Sequence, residues 1–180
     1  MFINYNMYSS DDDRAAPTGK AGMPPSQTRQ PNRSRDLFKT ESSARDILCR
    51  GDARYLIPTR AQRKALMIGF AHCGKSLPLS GYDAVRLDAA VDLDDPDDIA
   101  RNNDAIVIIE IKSTNQAKVG ADLAGYFFNI TAAELQNAQG LKDQFRFVFL
   151  NTVRGDWEEL SIGEVLARAK AIYPAYHIKL

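Results

Sequence analysis

The ten residues Ala105–Thr114, AIVIIEIKST, constrain the fold of this chain more than any other segment. Ala105–Ile111 is almost wholly apolar and rich in β-branched side chains, which fit a pleated strand and are crowded in a helix. Such an unbroken run suits a strand buried on both faces. Glu110 and Lys112 interrupt it, and charges inside a buried strand are costly unless they have a purpose. The two are two residues apart, so on an extended backbone they share one face with Ile106 and Ile108, while Val107, Ile109 and Ile111 take the other. A carboxylate and an ammonium thus emerge together at the end of a rigid apolar strand.

The flanking sequence supplies partners for that strand. Tyr82–Leu93 alternates, with Val85, Leu87, Ala89 and Val91 on one side and Arg86, Asp88 and Asp92 on the other, which predicts a second strand. Asp94-Asp95-Pro96-Asp97-Asp98 reads as turn chemistry. Phe145–Leu150, FRFVFL, predicts a third strand. Helices are expected after Ser42-Ser43 and after Pro58-Thr59, the second with Ala61, Ala65, Leu66, Ile68 and Gly69 on one side and Arg60, Arg63 and Lys64 on the other. Two more are signalled by Thr131 with Glu134 and Ser161 with Glu164, each a capping-box spacing. The first spans 131 to about 142. The second spans 161–172, with Val165, Leu166, Ala169 and Ile172 as its apolar stripe. Residues 176–180 read as a short edge strand.

The alternation of helices and strands predicts an α/β protein. Residues 1–35 read as a flexible tail, because Ser9–Arg35 has four prolines and almost no large apolar residue after Met23. Residues 36–180 read as one domain, mainly helical over 36–79 and carrying the core hairpin, strand and helices over 80–180.

Charge narrows the range of partners. Lys plus Arg number 23 and Asp plus Glu number 23, so a globally basic nucleic-acid binder is excluded. The charge is nonetheless polarised: residues 29–75 hold eleven Lys/Arg and four Asp/Glu, a net of +7, and residues 76–104 hold two Arg and eight Asp, a net of −6. A basic segment next to an acidic one suits a protein that grips phosphates and holds a metal ion. Two cysteines, Cys49 and Cys73, make neither a disulfide framework nor a metal clip. Their sparseness, the missing signal-peptide order and the absence of an apolar run of about 18 residues point to the cytoplasm and away from a membrane.

One further carboxylate beside Glu110 would complete a set able to hold Mg²⁺, which takes hard oxygen ligands, usually one or two carboxylates with water and phosphate. The metal would polarise a scissile phosphate, and Lys112 would orient or deprotonate the attacking water. A hairpin bearing D…ExK within this order of elements resembles the PD-(D/E)XK nuclease superfamily over roughly residues 43–150. Gly81-Tyr82-Asp83, Ile109–Thr114 and the Thr-x-x-Glu helix are also similar to nuclease-like modules attached to McrB-type defence proteins. The resemblance implies a three-layer α-β-α sandwich around a mixed sheet, with a restriction endonuclease-like core. It implies a Mg²⁺-dependent endodeoxyribonuclease, with Mn²⁺ able to substitute, of a restriction or defence type. It also implies DNA as partner, a homodimer for double-strand cleavage, and a partner protein of a defence or repair system. The rival expectation is a nuclease-fold module that binds or regulates without cleaving.

Glu110 and Lys112 map onto the ExK pair. The first aspartate stays open. Asp83 lies opposite Glu110 if the hairpin is symmetric about Pro96-Asp97, which also pairs Val85 with Ile108 and Leu87 with Ile106. Asp97 gives the literal spacing P-D-x12-E-x-K, with the hairpin turning at Asn102-Asn103. Asp98 and Asp88 are lesser candidates. Arg60, Arg63 and Lys64 would contact phosphates or form a solvated helix face. His72, Cys73 and His177 read as structural, Gln116 as a loop residue, Trp157 as a packing residue, and Gly74-Lys75-Ser76 lacks the context of a phosphate loop.

Overall fold

In the computed structural model, which describes residues 43–119 and 122–173, the AIVIIEIKST run is the middle strand of a five-stranded mixed sheet. The order along the chain is α1 (43–51), β1 (Tyr55–Leu56), α2 (Arg60–His72), β2 (Ala84–Leu87), α3 (Pro96–Arg101), β3 (Ile106–Thr114), α4 (Ala132–Leu141), β4 (Phe145–Asn151), β5 (Trp157–Leu160) and α5 (Ile162–Arg168). The strands lie in the order β1-β2-β3-β4-β5. Only β3 and β4 are parallel, and α4 is the helix that their crossover requires. The molecule is therefore α/β. The tail expected over 1–35, the Ser42 cap and the edge strand at 176–180 fall outside the described residues.

The two faces of β3 do what its pattern requires. Ile106 and Ile108 enter an apolar cluster with Leu66 and Phe70 of α2, Ile99 of α3, Ala138 and Leu141 of α4 and Val165 of α5. Val107, Ile109 and Ile111 enter a second cluster with Ala44 and Leu48 of α1. Helices thus cover the sheet on both sides, α1 on one and the other four on the other. On the α1 side, Glu159 of β5 bonds the Tyr55 hydroxyl of β1 at 2.6 Å and pairs with Arg86 of β2. Side chains from opposite ends of the strand order meet there, so the sheet curls around α1.

Several expectations are corrected. The strand expected over Tyr82–Leu93 is only Ala84–Leu87, because Asp88 pairs with Arg86 and Arg54 and the chain then leaves the sheet. The acidic run is a helix start rather than a turn. Asp95 caps α3 by accepting from the Asp97 N–H, Pro96 occupies the first turn, and Asp97 and Asp98 follow where the helix dipole favours negative charge. The last helix ends at Arg168 rather than at Ile172; Ile172 lies beyond it and is exposed, Leu166 is on its exposed side, and only Val165 of the expected stripe is buried. Ile68 is exposed and Phe70 takes its place in the core. The short strands β1 and β5 carry too few residues to show a period.

Gly69 lets α3 lie against α2: a Cβ there would sit 2.4 Å from Ile99 Cγ2 and 2.9 Å from the Pro96 carbonyl oxygen. Alanine gains about 1 kcal/mol in helix propensity over glycine, whereas overpacking costs about 1–3 kcal/mol. The carbonyl belongs to the backbone and cannot rotate away, which puts the cost toward the upper end, so Gly69→Ala is expected to lower stability by up to about 2 kcal/mol. A urea midpoint equal to or above that of the wild type would refute this close approach.

Candidate functional site

The site forms where β2 stops pairing with β3. The antiparallel register joins Ala84 to Ile109, Val85 to Ile108 and Leu87 to Ile106, which places Asp83 opposite Glu110. The Asp83 N–H still bonds the Ile109 carbonyl at 2.8 Å, but the next ladder partner is its side chain: Oδ2 accepts from the Ile111 N–H at 2.9 Å. The carboxylate thereby ends the ladder and is fixed against β3. Its Oδ1 is 2.5 Å from Arg45 Nη2, reaching over from α1. Arg63 of α2 donates to the carbonyls of Tyr82 and Asp83, each at 3.0 Å, and its guanidinium lies 4.3 Å from the centre of the Tyr82 ring. Arg63 therefore anchors the Asp83 backbone and is not on a solvated face with Arg60 and Lys64, which are exposed.

Lys112 Nζ sits between two carboxylates, 3.0 Å from Glu110 Oε1 and 2.6 Å from Glu134 Oε2. Glu134 arrives at this point because of its helix start. Thr131 caps α4 by accepting from the Glu134 N–H, and the Glu134 carboxylate accepts from the Thr131 N–H in return. The same oxygen then takes the lysine. Asp83, Glu110 and Glu134 are all less than a tenth exposed. Burial, then the charge of Asp83 and that of Glu134, push the Glu110 carboxyl up to about 8, with Lys112 opposing them. Burial works against a charged Lys112, but Glu110 and Glu134 outweigh it and hold the ammonium above its ordinary range. Three buried acids share one ammonium and one partly exposed guanidinium: while Glu110 keeps its proton the charges balance, and once it ionises, near pH 8, the site carries an excess of negative charge that a cation would relieve.

Of the residues singled out in the sequence, the structure brings Asp83, Glu110 and Lys112 together. It does not bring Asp97 or Asp98, which lie in α3: Asp97 is exposed 3.6 Å from His72 Nδ1, and Asp98 caps the Asp92 N–H. Asp88 is held by Arg86 and Arg54. The literal P-D-x12-E-x-K spacing thus joins residues on different elements.

Compared with protein-family models, curated proteins and solved structures, the chain matches none. The chemistry of the site therefore has to be read from its own atoms. Among the described residues, no three His, Cys, Asp or Glu side chains are gathered as a ready-made metal cage. Asp83 and Glu110 nevertheless supply the two hard oxygen donors that Mg²⁺ usually takes from a protein, water and phosphate providing the rest. Among the described residues no helix is long and apolar enough to cross a membrane.

Arg45 and Glu134 are the site residues that sequence reasoning missed. Glu134 is legible as a helix cap, and that role hides its second one. Gln also serves at this position of a capping box, so Glu134→Gln separates the cap from the charge. Glu134→Ala is expected to cost roughly 2–4 kcal/mol, since it removes both roles while Lys112 keeps Glu110. Glu134→Gln is expected to cost about 1 kcal/mol or less. Equal losses in chemical denaturation with chelator present would mean that the Glu134 half of the cap contributes nothing and that the whole effect lies in the charge facing Lys112.

Proposed function

We propose that the chain is a Mg²⁺-dependent deoxyribonuclease with a restriction endonuclease-like core, Mn²⁺ serving as a substitute. The observation that carries this reading is the meeting of Asp83, Glu110 and Lys112 at the end of a buried strand, with both carboxylates on neighbouring strands in matched register. Asp83 and Glu110 would hold the metal, which supplies charge neutralisation at the scissile phosphate and acidifies a bound water. Lys112, held between Glu110 and Glu134, would orient or deprotonate the attacking water and offset charge on the phosphate. Glu134 keeps Lys112 aimed, and Arg63 keeps the Asp83 backbone in place. Exposed Arg60 and Lys64 are the helix cations available to DNA phosphates. Double-strand cleavage by a chain with one such site requires a second copy, hence a homodimer. Neutral overall charge suits an enzyme that reads a site, or one delivered to DNA by a partner protein of a defence system, more than one held by the phosphate field alone.

A second reading has its own observation. Both Asp83 carboxylate oxygens are engaged, one with Arg45 and one with the Ile111 N–H. A module that kept the fold for DNA binding or regulation and lost cleavage would keep that lock closed. Incubation of supercoiled and linear duplex DNA with the full chain in Mg²⁺ and in Mn²⁺, with fragment ends sequenced, separates the two. Discrete ends fit a site-specific enzyme, smears a non-specific one, and intact DNA under both metals the binding module.

A further inference from the structure

Beyond Lys112, β3 and β4 run side by side to Thr114 and Asn151, and a cavity of about 240 Å³ opens at their ends. Its lining includes Thr114, Leu123, Tyr126, Phe149 and Trp157. Three features define what could occupy it.

The first is size. Pockets that take drug-sized ligands run to roughly 300–1,000 Å³, so this one admits a single ring system and not a coenzyme or an acyl chain. The second is the lining. Tyr126 and Phe149 are in edge-to-face contact at 5.7 Å on the Lys112 side of the sheet, while Trp157, paired with Leu150, borders the cavity from the α1 side, where a Cβ on Gly51 would come within 2.3 Å of its ring. These aromatic walls suit a flat, uncharged ligand. The charged groups at the rim are already spent: Arg154 is paired with Asp156 and bonded to the Ala117 and Val119 carbonyls, and Glu158 is paired with Arg168. Burial pushes the Tyr126 phenol up, so its hydroxyl stays neutral and able to donate. The walls are also built to hold shape. The Asn151 amide bonds the Gln116 and Val119 carbonyls, and Leu123 is held at φ 58°, a left-handed backbone that a branched side chain adopts at a cost.

The third feature is position. Phe149 is the register partner of Lys112, and Thr114 follows Lys112 on the same face of β3. The cavity therefore adjoins the Asp83–Glu110–Lys112 cluster along β3 and β4. A nucleobase meets all three conditions: it is one flat ring system, it is uncharged, and it is tethered to a phosphate.

We propose that this cavity binds a single unstacked nucleobase of the nucleic-acid substrate, placing the attached backbone beside Lys112. The choice of a nucleic-acid ligand rests on the function proposed above; the cavity and its size do not. Proteins that act on one nucleotide commonly take its base out of the stack and read it between aromatic side chains.

Trp157 is the chain's single tryptophan and borders the cavity, so its fluorescence is one readout of occupancy and 2-aminopurine supplies the second. The full chain, with chelator to prevent cleavage, is titrated with a short single-stranded oligonucleotide, with the same oligonucleotide carrying abasic sites, and with 2-aminopurine in place of one base. Saturable quenching of Trp157 and of 2-aminopurine is expected, with affinity about tenfold or more lower for the abasic strand, the size of one lost stacking contact. Tyr126→Ala is expected to lose a similar factor, and Tyr126→Phe, which keeps the ring, considerably less. Equal affinity for the intact and abasic strands, or no quenching by either, overturns the proposal without depending on any variant's folding. Cleavage in Mg²⁺ with no base-dependent quenching likewise overturns it and leaves the nuclease reading standing. Base-dependent quenching with no cleavage supports the cavity's role and removes the nuclease reading instead.

Discussion

Lys112→Ala is expected to lower Mg²⁺-dependent cleavage of duplex DNA by about 10²–10³-fold, the usual effect of deleting one group that stabilises developing charge. Glu110→Ala, which deletes a metal ligand, is expected to reduce cleavage to background. Asp83→Asn should behave like Glu110→Ala, whereas Asp97→Ala should cleave at the wild-type rate, because Asp97 is exposed on α3, beside His72 and away from Glu110. That contrast decides which aspartate completes the site independently of the register. Deleting Lys112 also leaves Glu110 and Glu134 facing each other without their shared cation. Each variant therefore needs a melting curve at the assay temperature, and Lys112→Met, which keeps the stem and loses the charge, is the control for packing. Undiminished cleavage in both Lys112→Ala and Glu110→Ala would remove the site from the chemistry altogether.

The part of this site that could be read from sequence is the part fixed by strand geometry. Glu110 and Lys112 had to share a face because side chains alternate along a strand. Asp83 against Asp97 stayed open in the sequence, because each fits its own hairpin turn; the register that pairs Val85 with Ile108 and Leu87 with Ile106 puts Asp83 opposite Glu110. What could not be read comes from elements distant in sequence. Arg45 reaches Asp83 from α1, and Glu134 reaches Lys112 from α4, and no local period encodes either contact. Arg63 was legible as a helix cation but not as one turned inward. It diverges from Arg60 and Lys64 only because the Tyr82 ring and two carbonyls stand in front of it.

The same distinction governs the fold. Long buried strands such as β3 and β4 and helices with capping boxes announced themselves. Strand β2 was overestimated because alternation continues in sequence past Leu87, while Asp88 is drawn off to Arg54 and Arg86. The start of α3 was hidden because Asp, Pro and Asp are turn residues and helix-start residues alike. The local chemistry is identical in both cases, and only the packing of Ile99 against Gly69 selects the helix.

Glu110→Gln is expected to stabilise the metal-free protein at alkaline pH while abolishing cleavage. The Glu110 carboxyl is pushed up from 4.5 to about 8, by burial first and by Asp83 and Glu134 after it. Below about pH 4.5 the group carries its proton in the folded and the unfolded chain alike, and contributes no pH dependence. As pH rises from there, the unfolded chain releases the proton while the folded chain retains it, so stability falls until the folded group also ionises near pH 8. Glutamine resembles the protonated acid in shape and never titrates. The variant should therefore lie close to the wild type near pH 5 and exceed it increasingly up to pH 9, read as the difference between urea midpoints in chelator. Divalent cation should reverse the order: Mg²⁺ neutralises the excess carboxylate charge in the wild type and raises its melting temperature at pH 8–9, with little effect on Glu110→Gln. This links stability to the proposed chemistry, since the group that destabilises the empty fold would be the one that recruits the ion. Parallel loss of stability in wild type and variant between pH 5 and 9 would show that Glu110 is not the strained acid. A Mg²⁺ response that survives Glu110→Gln would place the cation elsewhere.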